Sequence, residues 1–506
     1  MRPFFFPAPF LFRYTMNIAT IEPTIVWKHF DTLCRIPRPS KHEQRLRDEL
    51  LNWAKGQGLS TLVDAAGNLI LRKPATAGME NRPTVTLQGH IDMVCQKNDG
   101  ISHDFHRDAI QAVLKNGWLG AEHTTLGADN GIGVALALAA LEADDIAHGP
   151  LEVLLTVDEE AGMGGARHLP EGVLEGELLL NIDTEEWGAV YLGCAGGMDS
   201  VVTSHWQAEA LPTGHHPLRI TVKGLMGGHS GIDIHRERGH AIKLLVRLLR
   251  TLENTGIALR LASFTGGSAR NALPREAQAV VAVAEGDLDA LRSQCAQLGH
   301  QFRLDLEGVD EGVTVLVEDA SDQAWEVMAK DDQQRILAAL HAAPQGVQRW
   351  SQQAADTVET SLNLGVIRIA EGQAEAVFML RSLVDSAAVE LAITLSDLFK
   401  LAGMTVEHMG AYPGWRPNPQ SALLTLTQQV FQKEFGLTPE IKVIHAGLEC
   451  GLIGGKYPAM DMISFGPDIV GAHAPGERVD VASVDRCWQL LKALLATIPE
   501  KIPAKG

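Results

Sequence analysis

Four short stretches of the sequence carry acidic residues, and the first of them also carries a histidine. They contain His90 and Asp92, Asp129, the three consecutive acids at 158–160, and Asp183. If these carboxylates meet, they raise one another's pKa unless cations neutralise them. A mixture of imidazole and carboxylate ligands without thiolates suits zinc or a similar transition metal better than calcium. Two histidines and three acids would suffice for two ions if one acid bridges them.

Each stretch taken alone has an ordinary explanation. A His-x-Asp pair often occurs by chance, a Glu-Glu pair after a strand is usually a solvated loop, and Asp-Asn-Gly is usually a turn. The position of the stretches relative to the predicted elements is what favours a shared metal site.

The elements around these residues predict an α/β unit with a mostly parallel sheet. Apolar runs indicate strands at 68–72, 84–88, 151–157 and 177–182, and a buried helix is predicted at 131–143. A capping box formed by Ser40 and Glu43 predicts a further helix to about Gly56. Functional groups in open α/β sheets lie just past the carboxyl ends of the strands. Three predicted strands run into acidic stretches and the Asp129 turn precedes the buried helix, so we expect all four stretches at one sheet edge.

The chain changes character after about Gly196, where an α+β pattern begins. The pattern consists of strands near 217–225, 276–283 and 376–380 and an amphipathic helix at 236–252. From about Ala411 a loop-rich segment leads to a helix at 421–435. We therefore predict an α/β domain of residues 16–196 and 412–506, interrupted by an inserted α+β domain at 197–411. Residues 1–15 are predicted to be an N-terminal extension outside the fold, with either Met1 or Met16 as the true start.

Composition and charge exclude several classes of partner. The net charge of −19 over 506 residues repels nucleic acid and anionic membrane surfaces, so neither is expected as a partner. No run approaches the ~20 apolar residues that span a bilayer. Six scattered cysteines without a C-x-x-C pair fit a reducing compartment, which predicts a cytoplasmic protein.

Five motifs occur in an order that resembles a known enzyme family. They are Gly-His-Ile-Asp, Gly-Ala-Asp-Asn-Gly, Asp-Glu-Glu, Asn-Ile-Asp and the late Gly-Ala-His-Ala-Pro-Gly-Glu. Their order resembles the di-zinc metallopeptidases that include aminoacylases, carboxypeptidases and dipeptidases. Arg-Ile-Pro-Arg-Pro-Ser-Lys-His-Glu and His-Ala-Gly-Leu-Glu-Cys-Gly are similar to the branch that cleaves dipeptides with C-terminal histidine. The resemblance runs from Met16 nearly to the end, and it implies a zinc-exopeptidase catalytic domain with an inserted lid and dimerisation domain.

The resemblance also implies a metal site of two Zn²⁺ per subunit, with Co²⁺ or Mn²⁺ as possible substitutes. His90 and Asp183 would bind one ion, and Glu160 and His473 the other. Asp129 would bridge the two ions, and the peptide bond that follows it is expected to be cis.

Two further acids next to the implied ligands have catalytic roles by resemblance. Asp92 would hydrogen-bond the imidazole of His90 and orient it. Glu159 would be the general base that moves the proton of the attacking water. Two adjacent glutamates would then have two different tasks, with Asp158 left unassigned.

The inserted domain and the last segment supply implied substrate contacts. His229 would stabilise the oxyanion, sometimes in the active site of the partner subunit, and Asn271 and Arg381 would hold the substrate backbone or its carboxylate. His445 and Gly447 would line the substrate pocket. His229 could equally be an ordinary loop histidine, and Arg381 could form a surface ion pair.

The expected function is hydrolysis of short unblocked dipeptides with a preference for C-terminal histidine, including carnosine-like substrates. The alternatives are an N-acyl amino acid deacylase or tripeptidase of the same family and, more remotely, a non-catalytic metal-binding scaffold. A homodimer through the inserted domain is implied by the resemblance. The segment 284–358 stays without a role, either as a second copy of the lid motif or as a wall that limits substrate length.

Overall fold

The structure is a computed structural model that describes residues 18–320, 326–352, 354 and 356–501. The predicted extension at 1–15 lies outside the described residues. The chain divides into two compact units. The first comprises the described residues up to Leu192, Asn418–Lys442 and those from Leu452 onward, and the second comprises Gly193–Pro417 and Val443–Gly451. The predicted division into catalytic and lid domains stays a prediction.

The first unit begins with alternating helices and strands after a short 3-10 turn at Ile18–Thr20. Its elements in this part of the chain are α1 (Thr24–Arg35), α2 (Gln44–Gly56), β1 (Ser60–Val63), β2 (Leu69–Lys73), β3 (Val85–His90), β4 (Ala112–Lys115), β5 (Trp118–Ala121), α3 (Ala128–Glu142), β6 (Leu151–Thr156), α4 (Gly164–His168), β7 (Leu178–Asn181) and β8 (Ala189–Cys194).

The second unit consists mainly of long strands followed by helices. Its elements are β9 (Gly196–His205), β10 (Ala208–Ala210), β11 (His215–Lys223), β12 (Gly228–His229), α5 (Ala241–Asn254), β13 (Leu259–Gly266), β14 (Ala272–Leu273), β15 (Ala277–Ala284), α6 (Leu288–Asp305), β16 (Thr314–Asp319), β17 (Glu326–Met328), α7 (Lys330–Ala342), β18 (Gly346–Trp350), β19 (Val358–Ala370), β20 (Gln373–Ser382), α8 (Asp385–Leu401) and β21 (Thr405–Tyr412), with 3-10 turns at Ile234–Arg236 and Glu285–Asp287.

The chain ends with elements that mostly complete the first unit. They are α9 (Ala422–Phe435), β22 (Glu440–Ile444), α10 (Glu449–Lys456), β23 (Asp461–Ser464), β24 (Ile469–Val470), β25 (Arg478–Asp480) and α11 (Val481–Thr497).

The main sheet of the first unit is parallel at its centre. Its strand order is β1-β2-β6-β3-β7-β23-β8-β22. The neighbours β6, β3, β7 and β23 run parallel, whereas β2 and β8 pair with them antiparallel at either side. The prediction of an α/β unit is confirmed, and its parallel part is the central four strands. Helix α3 packs inside this unit and is buried on all sides, which explains its almost wholly apolar sequence.

The second unit is built on one large antiparallel sheet. Its order is β16-β11-β15-β13-β19-β20-β9-β21, with β18 also paired to β19. Helices α5 to α8 contribute to a single hydrophobic cluster with this sheet. Among the described residues of the segment 284–358, β16 extends this sheet beside β11 and β18 pairs with β19.

Two local predictions differ from the structure. Helix α2 begins at Gln44, but its first turn has no side-chain cap. The predicted helix at 236–252 begins only at Ala241, where the ring of His240 accepts a hydrogen bond from the amide of Lys243 and caps it. Glu237, in the left-handed region at φ 53°, separates this helix from the preceding 3-10 turn.

All six cysteines are free thiols. In the described ranges, no helix combines the length and the apolar composition that a membrane crossing requires.

Candidate active site

The acidic stretches meet at the carboxyl ends of the three adjacent parallel strands β6, β3 and β7. Strand β3 ends at His90, which is 1% exposed, while the acids at 158–160 follow β6 and Asp183 follows β7. Parallel neighbours end at the same edge of a sheet, so these side chains come together because of the strand order. The expectation of one shared edge is therefore met by the geometry.

Asp129 lies between the two histidines, with one carboxylate oxygen toward each. Its Oδ1 is 3.1 Å from Nε2 of His90, and its Oδ2 is 2.9 Å from Nε2 of His473. The same histidines face a second acid each, with Asp183 3.4 Å from His90 and Glu160 3.2 Å from His473. The peptide bond between Asp129 and Asn130 is cis, as expected.

These side chains form groups that fit metal ions. In His90, Asp129 and Asp183, and again in Asp129, Glu160 and His473, the candidate ligand atoms lie within 4.8 Å of one another. Asp129 belongs to both groups, which is the arrangement a bridging carboxylate requires. Within the described residues of the first unit, the buried Oε1 of Glu160 has no hydrogen-bond partner. Imidazole nitrogens and carboxylate oxygens are ligands that zinc and similar ions prefer, and the buried Oε1 of Glu160 is available to bind one.

The charges at this edge show what a cation would balance. Hydrogen bonds to Asp129 and Glu160 raise the pKa of His473 to about 11. Burial and the charge of Asp129 raise the pKa of Glu160, and burial raises the pKa of Asp183. Burial disfavours the charged form of His90, yet the surrounding acids, first among them Asp183, hold its pKa well above the usual value. The raised pKa values of both histidines show that this cluster of carboxylates favours positive charge beside it, which a bound cation would supply.

The two glutamates after β6 face different partners. Glu160 places Oε2 3.2 Å from His473, whereas Glu159 places Oε2 4.0 Å from Nε2 of His90. Candidate ligand atoms of His90, Glu159 and Glu160 also lie within 4.8 Å of one another, so both glutamates are at the same edge of the sheet. Asp158 is in the left-handed region at φ 55°, and its amide donates to the carboxylate of Glu43.

Asp92 links His90 to the loop that carries the two glutamates. Its carboxylate lies 3.3 Å from Nδ1 of His90 and accepts hydrogen bonds from the backbone amides of Glu159 and Glu160, each at 3.1 Å. Ser40 donates its hydroxyl to the same carboxylate at 2.7 Å. The predicted capping box is therefore wrong, because Ser40 is engaged with Asp92 and Glu43 accepts from the amides of Lys41 and Asp158.

Two buried charged residues beside the site were missed from the sequence. Arg38 donates to backbone carbonyl groups next to His90 and Asp129, and Glu477 accepts from the backbone amides around Asp129. Both lie inside motifs that carried the family resemblance, so their presence there was the one available signal. Their partners are distant in sequence and could not be identified from spacing.

His229 and Arg381 lie together in the second unit. Nδ1 of His229 accepts hydrogen bonds from the amides of Gly231 and Ile232, so in the neutral ring Nε2 carries the hydrogen. The guanidinium of Arg381 lies 3.4 Å from this Nε2 and donates to the hydroxyl of Tyr412 at 3.2 Å. Arg381 is 4% exposed, and its hydrogen-bond contacts among the described residues of the second unit are with Ser230, Tyr412 and His229, none of which is a carboxylate. A buried cation beside a second donor is an arrangement that an anionic group would stabilise.

The remaining predicted contacts lie in the same unit. The carbonyl group of Asn271 accepts from the amide of Ser230, next to His229. His445 is buried, its Nε2 lies 2.8 Å from the hydroxyl of Ser361, and burial together with the charge of Arg381 lowers its pKa to about 3. Gly447 is partly buried in the segment between β22 and α10. Their roles toward substrate stay predictions.

Comparison with known proteins identifies relatives over nearly the whole chain. Residues 86–497 match Peptidase family M20/M25/M40. The chain is 45% identical over 485 residues to the cytosol non-specific dipeptidase of Escherichia coli, covering 96% of this chain and 100% of that protein. A solved aminoacylhistidine dipeptidase from Vibrio alginolyticus is 45% identical, with a TM-score of 0.85 over 96% of this chain and 99% of that one. Aminopeptidase PepT from Bacillus cereus, 16% identical with a TM-score of 0.54 over 94% of this chain and 99% of that one, shares the fold.

Proposed function

This chain belongs to peptidase family M20/M25/M40, and from that premise we propose that it hydrolyses unblocked dipeptides with two bound divalent metal ions. The observation that carries the proposal is Asp129, whose two carboxylate oxygens face two different histidines, each accompanied by a further acid. The expected family resemblance and fold class are confirmed by the comparisons.

The substrate class is supported by the names of the two relatives at 45% identity. One is called a non-specific dipeptidase and the other an aminoacylhistidine dipeptidase. Both names describe enzymes that cleave dipeptides. Only the second name specifies the C-terminal residue, which is histidine. We propose that Xaa-His dipeptides, including carnosine-like ones, are preferred substrates.

We propose two Zn²⁺ per subunit, one held by His90 and Asp183 and one by Glu160 and His473. Asp129 would bridge them. Co²⁺ or Mn²⁺ could replace zinc, because the same ligand set accepts all three and availability decides between them.

Glu159 is the proposed general base. When bound, two such ions make a water molecule acidic enough to react near neutral pH and polarise the scissile carbonyl. Glu159 takes the proton of that water and delivers it to the departing amine. Asp92 would position both a metal ligand and the general base, since its carboxylate contacts the imidazole of His90 and the backbone amide of Glu159.

Arg381 and His229 are the proposed substrate contacts in the second unit. The guanidinium of Arg381 would bind the C-terminal carboxylate of the dipeptide, which would neutralise its buried charge. His229 presents Nε2–H as a donor and would stabilise the oxyanion. Asn271, His445 and Gly447 are proposed to complete the substrate pocket.

The protein is proposed to be cytoplasmic and homodimeric. The Escherichia coli relative is named a cytosolic enzyme, and all six thiols of this chain are free. The exposed apolar residues Val389 and Ile393 lie one turn apart on α8, and Leu401 at the end of that helix is 89% exposed. Such a patch on the second unit is consistent with a subunit contact, which light scattering of the purified protein would test.

The decisive experiment is a substrate panel with zinc or cobalt present. Release of free histidine from Xaa-His dipeptides, compared with other dipeptides, is the expected result. Cleavage of only N-acyl amino acids or only tripeptides would replace the proposal with the corresponding activity. If the protein binds two metal ions and cleaves no peptide, the reading as a metal-binding scaffold is correct instead.

A further inference from the structure

Two buried residues of opposite charge hold the turn that carries Asp129. Glu477 is 2% exposed and Arg38 is 2% exposed. Neither belongs to the proposed ligands or the proposed general base. We infer that both are positioning residues, which set the distance between Asp129 and the two histidines before any metal ion binds. This inference rests on the proposed two-metal site.

Glu477 binds four consecutive backbone amides with one carboxylate. Its Oε2 accepts from Leu126 at 2.8 Å and from Gly127 at 2.9 Å, and its Oε1 accepts from Ala128 at 2.7 Å and from Asp129 at 3.2 Å. The amides of Ala128 and Asp129 are at the start of α3, where backbone N–H groups have no partner within the helix, and those of Leu126 and Gly127 directly precede it. The carboxylate of Glu477 therefore satisfies the hydrogen-bonding need of all four backbone N–H groups and fixes the orientation of the turn.

Glu477 also ties this turn to the second histidine. It follows His473 by four residues in the loop between β24 and β25, and its own amide donates to the carbonyl of Ala474 at 3.1 Å. The loop that presents His473 is thus anchored directly to the turn that presents Asp129. The 2.9 Å contact between these two side chains depends on that anchor.

Arg38 performs the equivalent task on the side of His90. Its Nη1 donates to the carbonyl oxygens of Ile91 at 3.1 Å and Asp92 at 2.9 Å, and its Nη2 donates to that of Gly127 at 2.6 Å. The planar guanidinium thereby spans the end of β3 and the start of α3. A lysine has a single ammonium group and could not hold both segments in the same geometry.

The glycine in this turn is required by the same packing. Gly127 has φ +73°, and a Cβ there would lie 2.4 Å from Nη2 of Arg38. The close approach of the backbone to the guanidinium therefore leaves no room for a side chain.

Metal affinity is the measurement that separates positioning from general support. Changes to residues that orient metal ligands typically cost 10–100-fold in metal affinity. We expect E477Q to weaken binding of the more weakly held Zn²⁺ by roughly 10- to 100-fold, measured by competition with a chromophoric chelator. Arg38→Lys should weaken the same step.

Glu152 provides a matched control in the same sheet. It is 0% exposed and accepts from the amides of Glu175 and Gly176, but it lies near the amino end of β6, away from the candidate ligands. E152Q should lower the melting temperature of the metal-free protein and leave both zinc affinities unchanged.

Several results would overturn the inference. It is wrong if folded E477Q binds both ions as tightly as the unaltered protein, or if E152Q weakens zinc binding to the same degree. Should E477Q fail to fold, R38K decides the matter, and unchanged zinc affinity in that variant contradicts the inference. Failure of the proposed function has a different signature: the unaltered protein would bind two ions yet cleave no dipeptide, and the affinity differences would persist.

Discussion

Replacing Glu159 by Gln should separate proton transfer from metal binding. Glutamine keeps the size of the side chain but cannot accept the proton of the attacking water. Loss of a positioned general base typically costs 10²–10⁴ in rate, which corresponds to about 2.7–5.4 kcal/mol of transition-state stabilisation. Since Glu159 lies 4.0 Å from His90 while Glu160 lies 3.2 Å from His473, E159Q should lower kcat by that factor and retain both metal ions.

The neighbouring acids supply the comparison. E160Q should lose affinity for one of the two ions, because Glu160 belongs to the group with Asp129 and His473. Asp158→Asn makes the same change of charge one residue away and should leave kcat and metal content close to normal. All three variants are compared in two measurements: the rate of dipeptide hydrolysis, detected as released free histidine, and the metal content of the dialysed protein. A normal kcat in E159Q, or loss of a metal ion from it, would refute the division of tasks between the two glutamates.

Three further outcomes are expected. Arg381→Lys should raise KM for dipeptides roughly 10- to 100-fold, since a charged, two-pronged hydrogen bond is reduced to a single one, and KM for the matching dipeptide amides should change little; an equal rise for both substrates would contradict carboxylate binding. Burial and the charge of Lys243 lower the pKa of His240 to about 3 in the folded protein, below its unfolded value of ~6.5. The contribution of His240 to the free energy of unfolding is therefore complete above pH ~6.5 and decreases as the pH falls, by about 2 kcal/mol at pH 5. Urea unfolding at pH 7.5 and 5 should therefore show a weaker pH dependence in His240→Asn, and an unchanged dependence would assign the effect elsewhere. Gly133→Ala would place a Cβ 2.1 Å from the carbonyl oxygen of Ile182 and should destabilise the first unit by about 1–3 kcal/mol, seen as a lower thermal midpoint; a midpoint equal to that of the unaltered protein would show that α3 can shift without cost.

Local patterns were sufficient for the core of the first unit. The strands before His90, Asp158 and Asp183 were identified because continuous apolar runs of that length are typical of strands buried on both faces. Helix α3 was recognised for the same reason, since its residues are apolar on every side. Once the strands were taken as parallel neighbours, the common edge for the acids followed from the rule for open α/β sheets.

Local sequence patterns were misleading at the starts of helices α2 and α5, where other contacts compete with the predicted cap or helical turn. Ser40 and Glu43 have the spacing of a capping box, yet the hydroxyl of Ser40 binds Asp92, which is 52 positions away. Helix α5 begins five residues later than its amphipathic pattern suggests, because the chain turns at Glu237 before His240 caps the helix. In both places a tertiary partner or a backbone turn outweighed the local preference.

The amino-acid sequence by itself determined which chemical groups are available and that β3, β6 and β7 end in them, because hydrophobic periodicity and side-chain chemistry are local properties. Only the tertiary structure decided how Asp129 is shared between His90 and His473, and that Arg38 and Glu477 hold its turn. Glu477 reaches amides about 350 positions away in sequence, and no short-range pattern encodes such a contact. It arises when the sheet order brings separate loops to one edge, where buried polar groups must find partners.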